Sequence, residues 1–472
     1  MLHRIKNINH YFAAGVILIF QSLAQVAILT QKPLIYFTGD SGSYLKAANT
    51  LITQGHLDKF RTLGYPALIA ILGVTDDATI WRLIVAQSIL MIIATIEIYW
   101  LVSRILSSKW LGMIAAILIG CNLYILNWER CIVSESLAYW GLVTFTCIVY
   151  SYLCGPTWKK TVLVALAGIL VILIRPIFVI LPFVFIAICL IHDIRKNGLH
   201  HYRKMITAAA IMMICLFGYM KIVQAQTGYF GLSWVGNANL LGKVLEYKMY
   251  ELPIGPEWRT YQQNAIAFNQ KWHSYDAWGY VIFIHDINVE DEYGEPIGDY
   301  ARATIMAHPK TFIIDSLQDL IKTDRADPIF YPPFGYLLPS TFQHWGTLSP
   351  SLAAQGGSSL GSNAKPHVAW WVSFLELLSR IELKAYLFLP ILLVISCIRF
   401  WRNHEPVATI SFILAMTVLS MIVMVATGAY CEFYRLRFPI DWAMLVLFFV
   451  EFTHLLRKIN IKIGLPLSNP SK

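Results

Sequence analysis

Apolar and polar residues along this chain come in long blocks, and most of the apolar blocks have the length of a bilayer crossing. The runs Tyr11 to Thr30 and Ile80 to Val102, a third closing near Trp128 and a fourth returning to Lys159 and Lys160 each read as one helical span, since ~20 residues cover the ~30 Å hydrocarbon core. The next run, Thr161 to His192, would be about 48 Å long as a single helix. It is interrupted by Arg175-Pro176. Proline disfavours helix at the residue before it and an arginine at mid-membrane is costly, so the run is read as two short spans meeting at an outer turn. Met205 to Gln224, Lys384 to Cys397, Val407 to Thr427 and Trp442 to Leu456 supply the remaining four. The pattern predicts ten spans.

Between these runs lie two polar regions on one side. The first, 31–78, follows the first span and contains a helical pattern starting at Asp40, in which Tyr44, Ala47, Ala48, Leu51 and Ile52 share one face. The second, 226–366, is rich in Trp, Tyr, Gly and mixed charge and has no membrane-length apolar run, which predicts a folded external domain. Within it, Tyr300 to Ile321 is helical in period with a break at His308-Pro309, and Asp327 to Pro339 is proline-rich and irregular. His367 to Ile381 is patterned as an amphipathic helix suited to the membrane interface. The chain therefore divides into a membrane core with its first external loop (1–225), an external domain (226–366), and an interfacial helix followed by C-terminal spans (367–472).

Composition agrees with the pattern. At 57% hydrophobic and 14% charged residues, with mean hydropathy +0.56, a 472-residue chain is too apolar for a water-soluble fold. The formal charge of +9 resides in short Lys/Arg clusters between apolar runs. That is the distribution of topology determinants rather than of a nucleic-acid face, and it puts both termini in the cytoplasm. Six of the eight cysteines fall in or beside apolar runs and no CxxC pair occurs, so the sequence indicates neither a zinc site nor a disulfide scaffold.

Candidate chemistry collects on the external side. Asp40 begins a helix, where aspartate commonly caps backbone N–H groups; the same carboxylate at the bilayer edge suits a general base or a metal ligand. Glu135 lies at the outer end of the fourth span, where an ionisable group is either functional, paired with a neighbour such as Arg130, or solvated at the interface. Arg175 offers forked donors for a phosphate or for lipid headgroups. Arg435 and Arg437 precede Pro439, which favours extended backbone before it; two positions apart on an extended strand, both point to one side. Their alternatives are headgroup binding or pairing with Glu432 and Asp441. Arg61 reads as a brace for the first loop. The acidic residues 286–295 lack calcium-loop spacing, and no HExxH arrangement occurs.

The first-loop residues Asp40-x-x-x-Tyr44, Ala47-Ala48 and Arg61-Thr62-x-Gly64-Tyr65-Pro66 resemble the GT-C superfamily of integral-membrane glycosyltransferases. The closer likeness is to its bacterial branch of protein O-mannosyltransferases and lipid A aminoarabinose transferases. Asn127-Trp128-Glu129-Arg130 leading to Ser134-Glu135, Arg175-Pro176, and Tyr434 to Asp441 extend the likeness over nearly the whole chain. The resemblance implies an all-α bundle of about ten membrane helices in the bacterial inner membrane. It also implies transfer of a sugar from a polyprenyl-phosphate donor to a protein, lipid or glycan hydroxyl on the periplasmic side, with inversion. Asp40 then matches the first-loop catalytic acid, and the residues themselves suggest Glu135 as a second acid and Arg175, Arg435 and Arg437 at the donor phosphate. Tyr44, Arg61, Tyr65 and Glu129 position the loop and substrate. Ser41 stands where the superfamily more commonly has a second carboxylate, which leaves a divalent metal at Asp40 as an open alternative. Two other classes compete: a polysaccharide polymerase or ligase, centred on a late external loop, and a transporter of lipid-linked sugars, for which Glu97 and Glu451 are the few intramembrane candidates.

Overall fold

The computed structural model describes residues 9–29, 40–76, 78–198, 202–274, 277–286, 295–321, 370–428 and 436–463. Every regular element among them is helical. The N-terminal part comprises α1 (His10–Leu29), α2 (Ser41–Gln54), α3 (Gly64–Ile71), α4 (Ile80–Ile105), α5 (Lys109–Gly120), α6 (Leu123–Leu126), α7 (Glu135–Cys154), α8 (Trp158–Ile174), α9 (Ile180–Asn197) and α10 (Tyr202–Thr227). A separate lobe contains α11 (Val235–Glu246), α12 (Arg259–Trp272), α13 (Ala277–Asp286), α14 (Glu295–Ala307) and α15 (Pro309–Ile321). The chain ends in α16 (Trp370–Leu383), α17 (Leu389–Arg402), α18 (Pro406–Gly428) and α19 (Asp441–Ile463).

All ten expected apolar segments are helical, but they are not equal. Among the described residues seven helices are long and apolar enough to cross a bilayer, and α5 with Leu123–Arg130, bent by 53°, forms a broken span or a re-entrant loop. The first expected span is shorter, with an apolar helical stretch of His10–Val26, and α8 has 17 residues. The bend falls within the third expected span. Asn122 causes it: its side chain accepts from the N–H groups of Tyr124 and Ile125, stopping α5 and capping a new helix. The eighth expected span also starts earlier than Lys384, at Leu377 within α16. Large apolar side chains such as Met213, Ile214 and Phe217 of α10 face outward. A belt of this kind is stable only against lipid, and the protein is an integral membrane protein.

The fold has two principal apolar cores. The larger joins α4, α7, α8, α9, α18 and α19 through residues such as Val102, Phe145, Ile172, Phe185, Ile413 and Val446. The second lies inside the lobe of α11 to α15, around Trp234, Leu241, Phe268, Tyr280 and Tyr300. The loop between α1 and α4 links them. Its Phe60 ring meets Trp234 edge-on at 5.3 Å, and the Trp234 N–H donates to the Lys59 carbonyl at 2.8 Å. The loop is thus clasped by the lobe on one side while α2 and α3 pack on the bundle on the other. The expected break at His308-Pro309 separates α14 from α15.

Candidate active site

The site is built around the first turn of α7. Upstream of it, α2 lays Ser41, Tyr44, Ala47 and Ala48 against the bundle. Ile52, expected on that face, is 46% exposed; eight residues beyond Tyr44 a helical face has rotated by about 80°. The Ser41 hydroxyl donates to the Ile132 carbonyl at 2.9 Å, and the Tyr44 and Ser134 hydroxyls share a hydrogen bond of 3.0 Å. The start of α2 is therefore fastened to 131–135, the segment that leads into Glu135.

Asp40 occupies the N-cap position of α2, but its side chain makes no capping bond. The carboxylate instead pairs with the Arg61 guanidinium, and the side chain stays 30% exposed. Arg61 is fixed on its remaining sides. Its Nε donates to Ser43 Oγ at 2.8 Å, and its guanidinium lies 4.3 Å from the centre of the Tyr44 ring. The side chain of Arg61 is thereby aimed, and it aims the carboxylate of Asp40 in turn.

Tyr65 lies behind this group, fully buried. Its ring meets Tyr44 edge-on at 5.0 Å and its hydroxyl donates to Gln87 Oε1 at 2.9 Å. Burial holds the phenol well above its ordinary pKa, so it remains a donor. Gln87 then donates to the carbonyls of Glu129 and Cys131 at 2.7 and 3.1 Å. Gly64 is what lets α3 come this close. A Cβ there would stand 2.8 Å from the main chain of Ile174, the residue before Arg175.

Glu135 and Arg175, the outer ends of α7 and α8, form an ion pair at 3.2 Å with side chains 0% and 8% exposed. Pairing and burial coexist because a buried charge is tolerated only with an opposite partner. Arg175 Nη1 is buried with no hydrogen-bond partner among the described residues. Its backbone is extended, closing α8 before the 3₁₀ turn Pro176–Phe178.

Glu129 is placed differently from the other acids. It is fully buried in the 3₁₀ turn Asn127–Arg130, where it accepts from Gln25 Nε2 at 2.7 Å and Ser88 Oγ at 2.8 Å. It fastens this turn to α1 and α4. Arg437 lies in helical, not extended, backbone, which corrects the extended geometry expected before Pro439. Two contacts impose the helical turn: an i,i+4 ion pair with Asp441 at 3.2 Å, and the Phe438 ring stacked at 5.7 Å on both Trp128 and Tyr139. Arg437 also lies 4.4 Å from the centre of the Tyr386 ring, whose hydroxyl donates to Asp441 at 2.5 Å. Arg435 and Glu432 lie outside the described residues. The sequence analysis assigns no role to Ser43, Ser134, Gln87 or Tyr386; all four act through side-chain contacts 18 or more positions away.

Among the described residues no group of three or more His, Cys, Asp or Glu side chains is arranged to hold a metal ion.

No protein-family model matches the sequence, and no curated protein matches it. In fold the chain is similar to three membrane glycosyltransferases of the GT-C superfamily. One is the oligosaccharyltransferase AglB from Archaeoglobus fulgidus, in complex with an inhibitory peptide and a dolichol-phosphate (TM-score 0.46, 11% identity, 98% of this chain and 52% of that one). Another is ArnT from Cupriavidus metallidurans bound to undecaprenyl phosphate (TM-score 0.36, 11% identity, 97% and 81%). The third is the arabinosyltransferase EmbB from Mycobacterium smegmatis (TM-score 0.32, 14% identity, 90% and 41%). The chain spans about half the length of AglB. At these identities and scores the likeness concerns the course of the helices and not the chemistry.

Proposed function

We propose that this chain is a GT-C-type glycosyltransferase that moves a sugar from a polyprenyl-phosphate donor to an acceptor hydroxyl on the non-cytoplasmic face, with inversion at the anomeric carbon. The observation that carries the reading is the state of Asp40. A carboxylate at a helix start that is not used as a cap, remains partly exposed and is aimed by a braced arginine has the features of a general base. The motif resemblance assigns it the same role.

In the proposed reaction the acceptor oxygen attacks the anomeric carbon as its proton passes to the partly exposed Asp40 carboxylate. The bond from that carbon to the phosphate oxygen breaks, and the lipid phosphate leaves with both electrons. The charge that develops there is met by Arg175, whose buried Nη1 is the fork left over from its pair with Glu135. Glu135 is accordingly assigned the role of orienting Arg175. Arg437 is a second phosphate donor in this reading, oriented by Asp441, and Arg435 a third by position in sequence alone. The outer side is taken as periplasmic and the termini as cytoplasmic from the distribution of basic residues.

The test is transfer of labelled sugar from a panel of short polyprenyl-phosphate sugars by purified protein, comparing wild type with Asp40→Asn. Asparagine keeps a hydrogen bond to Arg61 but takes up no proton. Turnover by wild type and not by the folded variant supports the reading. Equal turnover removes Asp40 from the chemistry, and no turnover of any donor favours the polymerase or transporter class.

A further inference from the structure

The lobe of α11 to α15 carries an apolar helix face that the proposed reaction does not use. On one side α15 is tied firmly to α11. Lys243, with no exposed surface, pairs with Asp319 at 2.7 Å and with Glu246 at 3.1 Å. The Tyr247 hydroxyl donates to Asp319 and lies 3.4 Å from Ser316 Oγ, and the Phe312 ring meets Tyr247 at 6.1 Å. Burial, and then the bond to Asp319, raises the Tyr247 phenol far above its ordinary pKa, so it stays a donor. These contacts fix which way α15 faces.

The opposite side presents Ile313, Ile314 and Leu317, 55%, 43% and 52% exposed, with Met306 at the end of α14, 79% exposed. Positions 313, 314 and 317 fall on one helical stripe rather than being scattered apolar residues, and exposed Met306 stands at the end of α14, just before α15 begins. Exposed Lys310 lies one turn before the stripe, as cations do at the rim of an interfacial helix. The helix packs against α18, a candidate span that contains no charged residue and exposes Val423. The stripe therefore belongs to an element seated beside a lipid-facing helix.

We propose that α15 is a monotopic anchor: the external lobe rests on the outer leaflet of the bilayer through Met306, Ile313, Ile314 and Leu317, with Lys310 among the headgroups. The occupant is the lipid surface itself. This anchor is independent of the sugar-transfer reading and leaves the Asp40 group untouched.

The experiment places the photoreactive residue p-benzoylphenylalanine singly at positions 306, 313 and 317 of the full chain, in vesicles of phosphatidylethanolamine and phosphatidylglycerol. All three positions are exposed, so the probe replaces no core contact. Position 263, an exposed polar site on α12, is the control. Irradiation followed by intact-mass measurement is expected to show phospholipid adducts at 313 and 317 about tenfold above those at 263. Adduct levels at 313 and 317 no higher than at 263 overturn the anchor, as does a crosslink between two copies of the chain, which would make the stripe a subunit interface.

Discussion

The two ends of the helix bundle handle their basic side chains in opposite ways. At the end that carries Asp40, each described arginine of the candidate site is held by a carboxylate: Arg61 by Asp40, Arg175 by Glu135 and Arg437 by Asp441. At the other end, basic groups close off helix termini. Arg195 donates to the carbonyls of Phe400 and Trp401 at 2.7 and 2.6 Å, and Lys160 to those of Ser151 and Gly155 at 2.7 and 2.9 Å. Lys204 caps Pro156 and Arg457 caps Leu106, each at 2.9 Å. Arg399, paired with Glu451 at 2.5 Å, is the departure from this rule. The lesson is that charge excess alone does not mark a site. A cation bonded to the last carbonyls of a helix satisfies orphan acceptors and the helix dipole, whereas a cation held by a carboxylate is aimed and keeps part of its fork for an anion.

The comparison breaks most directly at Asp40. Asp40→Asn should lower the rate of sugar transfer by roughly 10²–10⁴-fold without lowering the unfolding temperature, a combination read by single-turnover kinetics beside a melting curve in detergent. If the two ends differ in purpose, Arg175→Ala should cost both quantities. It withdraws the partner of a carboxylate with no exposed surface, a loss of about 3–5 kcal/mol, and should weaken competition by undecaprenyl phosphate. Arg175→Lys, a point charge without the fork, should recover stability more than it recovers binding.

A smaller effect sharpens the geometry. Gly64→Ala puts a methyl group within 2.8 Å of the Ile174 main chain, which should destabilise by about 1–3 kcal/mol and lower kcat as the loop shifts away from Arg175. The smallest effect is expected at the opposite end. Arg195→Met should cost about 1–2 kcal/mol through the two carbonyls it abandons, with kcat/KM unchanged. An activity loss there equal to that of Arg175→Ala would end the distinction between the ends.

What the sequence disclosed follows the range of the interactions. Helix α2, the break at Arg175-Pro176 and the separation of α14 from α15 were legible because proline, charge and apolar period act within a few residues. The pair Glu135–Arg175 was not, since forty positions separate two groups that each have several local partners to choose from. Arg61 could be read as a brace but its partner could not. The kink between α5 and α6 had a local signal, an asparagine ahead of Leu123 to Leu126, which the continuous hydrophobicity on either side obscured. Backbone at Arg437 was misread because the proline rule was opposed by ring stacking of Phe438 on residues some three hundred positions earlier.

The contact at Gly64 has a mechanical consequence. Where the strand of chain after Arg61 meets the end of α8, the spacer is one main chain lying against another, and bond lengths and planar peptides set the gap instead of side-chain torsions. Such a spacer has no alternative rotamers to sample. Warming or a change of lipid can then loosen the apolar packing elsewhere in the bundle while the gauge between the carboxylate on one segment and the guanidinium on the other stays the same.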